Sequence, residues 1–152
     1  FRQRKDILIL RTFSKIYGLA GLRIGYGIAS APIINEMNKV RQPFNINSPA
    51  QSAALAALDD KDHLEKAKKK NEIGKKFLYR ELKSLKIDYV KTEANFIYVI
   101  LYNDTAPRLY KALLKEGVIV RPMGDHEIRV TIGLPRENKR FIEALKKVMI
   151  IQ

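Results

Sequence analysis

The sequence predicts an α/β chain, and three observations carry that prediction. Two short apolar runs near the start, "DILILRTFS" and "LRIGYGIA", have strand length. Helix-period apolar stripes fill the middle. Beyond them, strand-like runs such as "VIVRPM" and "EIRVTIG" alternate with two further amphipathic stretches. In order, the chain reads as two strands, three helices, a strand region, a helix, two strands and a helix.

In the second strand Gly25 and Gly27 suggest that another backbone comes close. "APIINEMNKVRQ" has helical spacing through Ile33, Ile34, Met37 and Val40. "SPAQSAALAAL" opens with Ser48 as the expected N-cap, Pro49 at the first helical position and Gln51 completing a capping box. A long helix is predicted from Lys61 to about Lys86, with Leu64, Ala67, Leu78, Leu82 and Leu85 on its inner stripe and Gly74 as a close-packing point. "DYVKTEANFIYVIL" reads as two strands or one bent strand. "APRLYKALLKEG" is a helix closed by Gly117. A final helix begins at Pro135, with Phe141, Ile142, Leu145, Val148 and Met149 on one face, although Leu134 is a poor cap for it.

The 152 residues suffice for one ordinary domain, or one domain and part of another. With 46% hydrophobic and 30% charged residues, the composition is globular and not disordered. No apolar run approaches the ~18 residues of a membrane span. The opening "FRQRKD" is no signal peptide, and its Phe1 suggests a piece of a longer or processed protein. The absence of cysteine excludes disulfides, thiolate metal sites and cysteine nucleophiles, and it is compatible with the cytoplasm. No metal site is expected either, because His63 and His126 are far apart and lack companion ligands. The net charge of +13 and the run "KAKKKNEIGKK" raise the alternative of a basic nucleic-acid-binding module. The simpler reading of that run is a solvated helix face, and the tyrosines show no stacking pattern for RNA.

The chemistry concentrates in "TFSKIYGLAGLR", residues 12–23. Thr12 and Ser14 offer hydroxyls. Arg23 offers a permanently charged fork suited to phosphate oxygens. Gly18 and Gly21 allow the loop to fold back, so that Arg23 can approach the same anion. Lys15 alone would read as a surface charge at a strand end. Beside other cations and partly desolvated, a lysine amine becomes a nucleophile for carbonyls. The stretch therefore suits a ligand with an aldehyde at one end and a phosphate at the other, such as pyridoxal phosphate.

"RTFSKIYGLAGLRIGYGIA" resembles the cofactor-lysine segment of fold-type I, pyridoxal-phosphate-dependent aminotransferases. "RQPFNINSPAQSAALAAL", "EANFIYV" and "IRVTIGLPRENKRFIEAL" are similar to histidinol-phosphate aminotransferases within that group. The resemblance runs from about Arg11 to the end. It implies that Lys15 is the Schiff-base lysine and general base. It implies that Thr12, Ser14 and Arg23 bind the cofactor phosphate, that Arg129 holds the anionic end of the substrate, and that Arg121 is a second substrate-contacting arginine. Asn95, in "ANF", is either a ligand contact or a turn cap. Only "PMGDHEI" separates the two arginines, where the family often has a longer loop, which leaves substrate preference open.

The resemblance further implies that the chain is the C-terminal portion of such an enzyme. Residues 1–41 would then end the large domain's sheet, and residues 42–152 would form the small α/β domain. Asp6, the one acid before Lys15, does not match the family's acid for the pyridine nitrogen, which places that group outside this chain. The expected activity is transamination of histidinol phosphate with 2-oxoglutarate in histidine biosynthesis, by a cytoplasmic homodimer with small-molecule substrates. Another aminotransferase, or a threonine-phosphate decarboxylase, on the same scaffold is the rival within the class.

Overall fold

The computed structural model describes Arg4 and residues 6–149, so the extreme ends of the two expected domains lie outside the described residues. The chain groups into two compact units, Phe1–Lys68 and Lys69–Gln152.

In the first unit, β1 (Ile9–Thr12) pairs antiparallel with β2 (Gly25–Ile28), with Ile9 opposite Ile28 and Thr12 opposite Gly25. A short 3₁₀ turn, Ala20–Leu22, lies between them. The expected close approach is at Gly25, where a Cβ would stand 2.6 Å from the carbonyl oxygen of Arg11. Helix α1 (Ala31–Val40) follows, and its expected inner stripe is only partly covered: Val40 is 84% exposed. Helix α2 (Ser48–Asp59) is capped by Asn47 and not by Ser48. The Asn47 side chain accepts the Ala50 N–H at 2.8 Å, while Gln51 donates to the Ile46 carbonyl at 3.0 Å. Both residues can cap a helix. The extended backbone of Asn47 (φ −74°, ψ 155°) aims its oxygen three residues ahead and takes Ser48 into the first turn.

Helix α3 (Lys61–Ser84) crosses from the first unit into the second. There the ambiguous "DYVKTEANFIYVIL" resolves into two strands, β3 (Asp88–Val90) and β4 (Phe96–Ile100). Helix α4 (Ala106–Lys115), β5 (Arg121–Pro122), β6 (Glu127–Thr131) and α5 (Pro135–Val148) complete the unit. The sheet order is β3-β4-β6-β5, with every pair antiparallel. Alternation puts Ile97, Val99, Ile128 and Val130 on one face, buried in a core with Leu78, Leu82, Leu109, Leu113, Phe141 and Leu145. The other face carries Phe96, Tyr98, Arg129 and Thr131.

Gly74 is the close-packing point its position suggested. A Cβ there would lie 2.7 Å from Ile132 Cγ2 and 2.8 Å from Asn138 Nδ2. The start of α5 needs no side-chain cap from Leu134. Glu137 Oε2 accepts the Leu134 N–H at 2.7 Å, and Asn138 brackets Gly133, accepting its N–H at 2.9 Å and donating to its carbonyl at 3.0 Å.

Candidate functional site

The lysine loop is held by its hairpin. The ladder ends at Thr12 opposite Gly25, and the Phe13 N–H extends it by donating to the Ile24 carbonyl at 3.2 Å. Ser14 and Lys15 therefore leave one strand where Arg23 enters the other. Phe13 is the buried anchor, with its ring 4.8 Å from that of Tyr17 and 5.8 Å from that of Tyr26. Packing is thus what these two tyrosines do here. Lys15 lies exposed at the start of a tight turn in which the Gly18 N–H donates to its carbonyl at 2.9 Å, with Gly18 at φ +73°. The Thr12 hydroxyl oxygen accepts the Ser14 N–H at 3.0 Å. Arg23 adopts φ 53°, an unusual conformation for a long side chain, and one arm of its guanidinium donates to the Ala20 carbonyl at 2.8 Å. His63 donates from Nε2 to the Ile16 carbonyl at 3.1 Å, which accounts for that ring without a metal. Among the described residues no three metal-ligating side chains converge.

In the second unit the register sets Arg121 directly opposite Arg129. Directly opposed like charges destabilise a strand pair unless an anion lies between them. Among the described residues neither guanidinium has an acidic partner. The Arg129 guanidinium lies 5.0 Å from the centroid of the Phe96 ring. Asn95 stands exposed one residue before β4, where its carbonyl accepts the Ile132 N–H at 2.9 Å. Strand alternation gives it the parity of Ile97 and not that of the arginine face. His126, in the turn between the two arginine strands, is exposed and donates from Nδ1 to the Asp104 carbonyl at 2.9 Å.

Sequence reasoning missed Lys75, which it counted in the solvated run. Its side chain is only 8% exposed. Its Nζ bonds to Glu72 Oε1 at 2.6 Å and to the Thr92 carbonyl at 3.2 Å, with Glu93 at 3.7 Å. The hydrogen bond that Lys75 donates to the Glu72 carboxylate holds this ammonium above the usual lysine value, against the opposing effect of burial. The remaining lysines of the run, Lys66, Lys68, Lys69, Lys70 and Lys76, are exposed, as a solvated helix face requires.

The sequence model of aminotransferase class I and II matches residues 1–145. The chain belongs to this family. It is 50% identical over 150 residues to the histidinol-phosphate aminotransferase of Moorella thermoacetica, a match covering 96% of this chain and 39% of that protein. It is 51% identical over 150 residues to the enzyme of the same name from Caldicellulosiruptor saccharolyticus, covering 95% and 41%. The histidinol-phosphate aminotransferase of Sinorhizobium meliloti, solved in complex with pyridoxal-5'-phosphate, superposes with a TM-score of 0.87 at 26% identity, covering 95% of this chain and 42% of that one. The chain thus spans about two fifths of the length of the curated relatives it matches.

Within this aminotransferase chain the candidate residues form two groups. Thr12, Ser14, Lys15 and Arg23 belong to the first unit; Asn95, Arg121 and Arg129 belong to the second. A signal for Lys75 was available in the spacing. It lies four residues from Asn71 and four from Tyr79, and one from Gly74 on the covered face.

Proposed function

We propose that the protein to which this chain belongs is a pyridoxal-phosphate-dependent aminotransferase that moves an amino group between histidinol phosphate and 2-oxoglutarate, in histidine biosynthesis. The name shared by relatives at about half identity supports this reading. The observation that carries it is the hairpin end that brings Lys15, Ser14 and Thr12 to the strand on which Arg23 arrives. That donor set fits the cofactor, because it offers one amine, two hydroxyls and a guanidinium with N–H groups to spare.

Pyridoxal phosphate, when bound, supplies an aldehyde that an amine can capture and a ring that draws electrons from the carbon beside the nitrogen. Lys15 Nζ is the amine this chain offers, and it is also the base that carries the proton to and from the substrate α-carbon. Arg23, Thr12 and Ser14 bind phosphate oxygens and orient the ring. Arg121 and Arg129 take the anionic end of the substrate, where their opposed charges become favourable. Asn95, one residue before the neighbouring strand β4, is the further amide offered to the substrate. The whole protein is proposed to be a cytoplasmic homodimer acting on small molecules. Among the described residues no helix is long and apolar enough to cross a membrane.

The test uses the full-length protein with added cofactor. It is expected to develop the absorbance of lysine-bound cofactor and to form glutamate from histidinol phosphate and 2-oxoglutarate. Lys15→Ala should return the absorbance to that of the free aldehyde and slow turnover at least a hundredfold or so. Absent absorbance, or an unchanged Lys15→Ala variant, defeats the cofactor assignment. Carbon dioxide released from added threonine phosphate, with no glutamate formed from histidinol phosphate, would make the protein a decarboxylase.

A further inference from the structure

Asn71, Lys75 and Tyr79 stand four residues apart on one face of α3, and each takes a backbone group of residues 92–94. The Tyr79 hydroxyl oxygen accepts the Thr92 N–H at 2.7 Å. Lys75 Nζ donates to the Thr92 carbonyl at 3.2 Å, and Asn71 Nδ2 donates to the Ala94 carbonyl at 3.2 Å. The Thr92 hydroxyl oxygen takes the Ala94 N–H at 3.0 Å. The next residue, Asn95, is held through its carbonyl by Ile132. A segment outside regular structure has to find partners for its backbone polar groups, and here three of the six between Thr92 and Ala94 find theirs on this one helix face.

The ladder reaches because α3 comes close. Gly74 lets the helix lie against Ile132 and Asn138, and a side chain as short as Asn71 can then touch the loop. Below the ladder, the ring of Tyr79 stacks on that of Tyr89 at 4.5 Å between centroids. The segment runs straight into Phe96, whose ring underlies Arg129. Nothing between Thr92 and Phe96 belongs to a helix or strand, so the ladder sets how the chain enters β4, where Phe96 pairs with Thr131 of β6.

We propose that Lys75, together with Asn71 and Tyr79, is the positioning element of the anion-binding arginine face: it holds residues 92–94 at the entry to β4, so that Phe96 is set under Arg129. The inference rests on the functional reading above for the identity of the anion, a phosphorylated amino substrate. An apolar residue at position 75 could fill the space, yet it would leave the Thr92 carbonyl without its donor and Glu72 without its partner.

Steady-state kinetics of the full-length protein with pyridoxal phosphate test this. Lys75→Met should raise KM for histidinol phosphate about fivefold to tenfold, the scale of one charge-assisted hydrogen bond. Its kcat and cofactor absorbance should stay near those of the parent, and Lys75→Arg should recover much of the loss. Tyr79→Phe removes one oxygen and should move KM in the same direction, so it decides the matter if Lys75→Met fails to fold. An unchanged KM in the folded variants overturns the proposal. So does a loss confined to kcat or to cofactor absorbance. If the parent does not use histidinol phosphate at all, the functional reading fails and the positioning role is read from inorganic phosphate binding by calorimetry. Weaker binding by Lys75→Met then supports the role, and equal or absent binding overturns it.

Discussion

Asp104 closes the turn between β4 and α4 with its side chain only 8% exposed, and three neighbours meet it there. Arg108 pairs with the carboxylate from one helical turn onward, the Thr105 N–H donates to Oδ1 at 2.7 Å, and His126 bonds to the carbonyl. Burial pushes the Asp104 carboxyl up, but Arg108 and the Thr105 N–H outweigh it and hold the group below the usual carboxylate value. The folded value lies below the unfolded one. The stability this group contributes is therefore fully present above the ordinary carboxylate range near pH ~4, and it is lost as pH falls through the lower folded value. Asp104→Asn should cost about 1–2 kcal/mol at neutral pH and much less near pH ~3, where the parent has begun to lose the same contribution. Urea unfolding of parent and variant at both pH values checks this. A gap that stays equal would mean that the carboxylate charge is not what stabilises the turn.

Two helices end in the same way with different residues. After α4 the Val118 N–H donates to the Leu113 carbonyl at 2.9 Å and the Gly117 N–H to that of Leu114 at 3.0 Å, with Gly117 at φ +73°. After α3 the Ile87 N–H donates to the Leu82 carbonyl and the Lys86 N–H to that of Lys83, both at 3.0 Å, with Lys86 at φ +57°. A left-handed lysine crowds its own Cβ against the following carbonyl, whereas glycine does not. Lys86→Gly should therefore raise stability by about 0.5–1 kcal/mol after the larger unfolded-state entropy of glycine is counted. A thermal melt reads it, and a lower midpoint would show that the lysine stem contributes more than its backbone costs. The contrast also explains which boundaries the sequence made legible. The end of α4 was readable because glycine marks it. The end of α3 was placed two residues late because a lysine fills the glycine position. The start of α5 looked uncapped because its caps, Glu137 and Asn138, lie inside the helix and reach back.

At the scale of the whole chain, what could be read was what is local. The Lys15–Arg23 spacing is closed by a single hairpin, so the sequence placed both at one end of it. The ladder from Asn71 to Tyr79 joins residues 13 to 23 positions away, and the one sign that Lys75 is the covered lysine of its run is its place beside Gly74, in step with Asn71 and Tyr79. The distribution of apolar burial leads to the last prediction. The contiguous core runs from Leu78 to Leu145, entirely within the second unit. Among the described residues of the first unit the buried apolar ones are Phe13, Ala50 and Ala54, and every residue of β2 is exposed. A two-stranded ladder on its own is marginal in water. The chain also spans only about two fifths of its curated relatives, 39% of one and 41% of another. In hydrogen–deuterium exchange of the 152-residue chain, the slowest amides should therefore lie in β4, β6, α4 and α5, while residues 9–28 exchange far sooner. Pyridoxal phosphate should bind this chain only weakly and should add little protection to the Lys15 hairpin. In the full-length protein it should protect that hairpin strongly. Protection of Leu10 and Tyr26 equal to that of Ile97 and Val99 in the isolated chain would mean that the hairpin is stable without the rest of the protein, and the weak-binding expectation would fall with it.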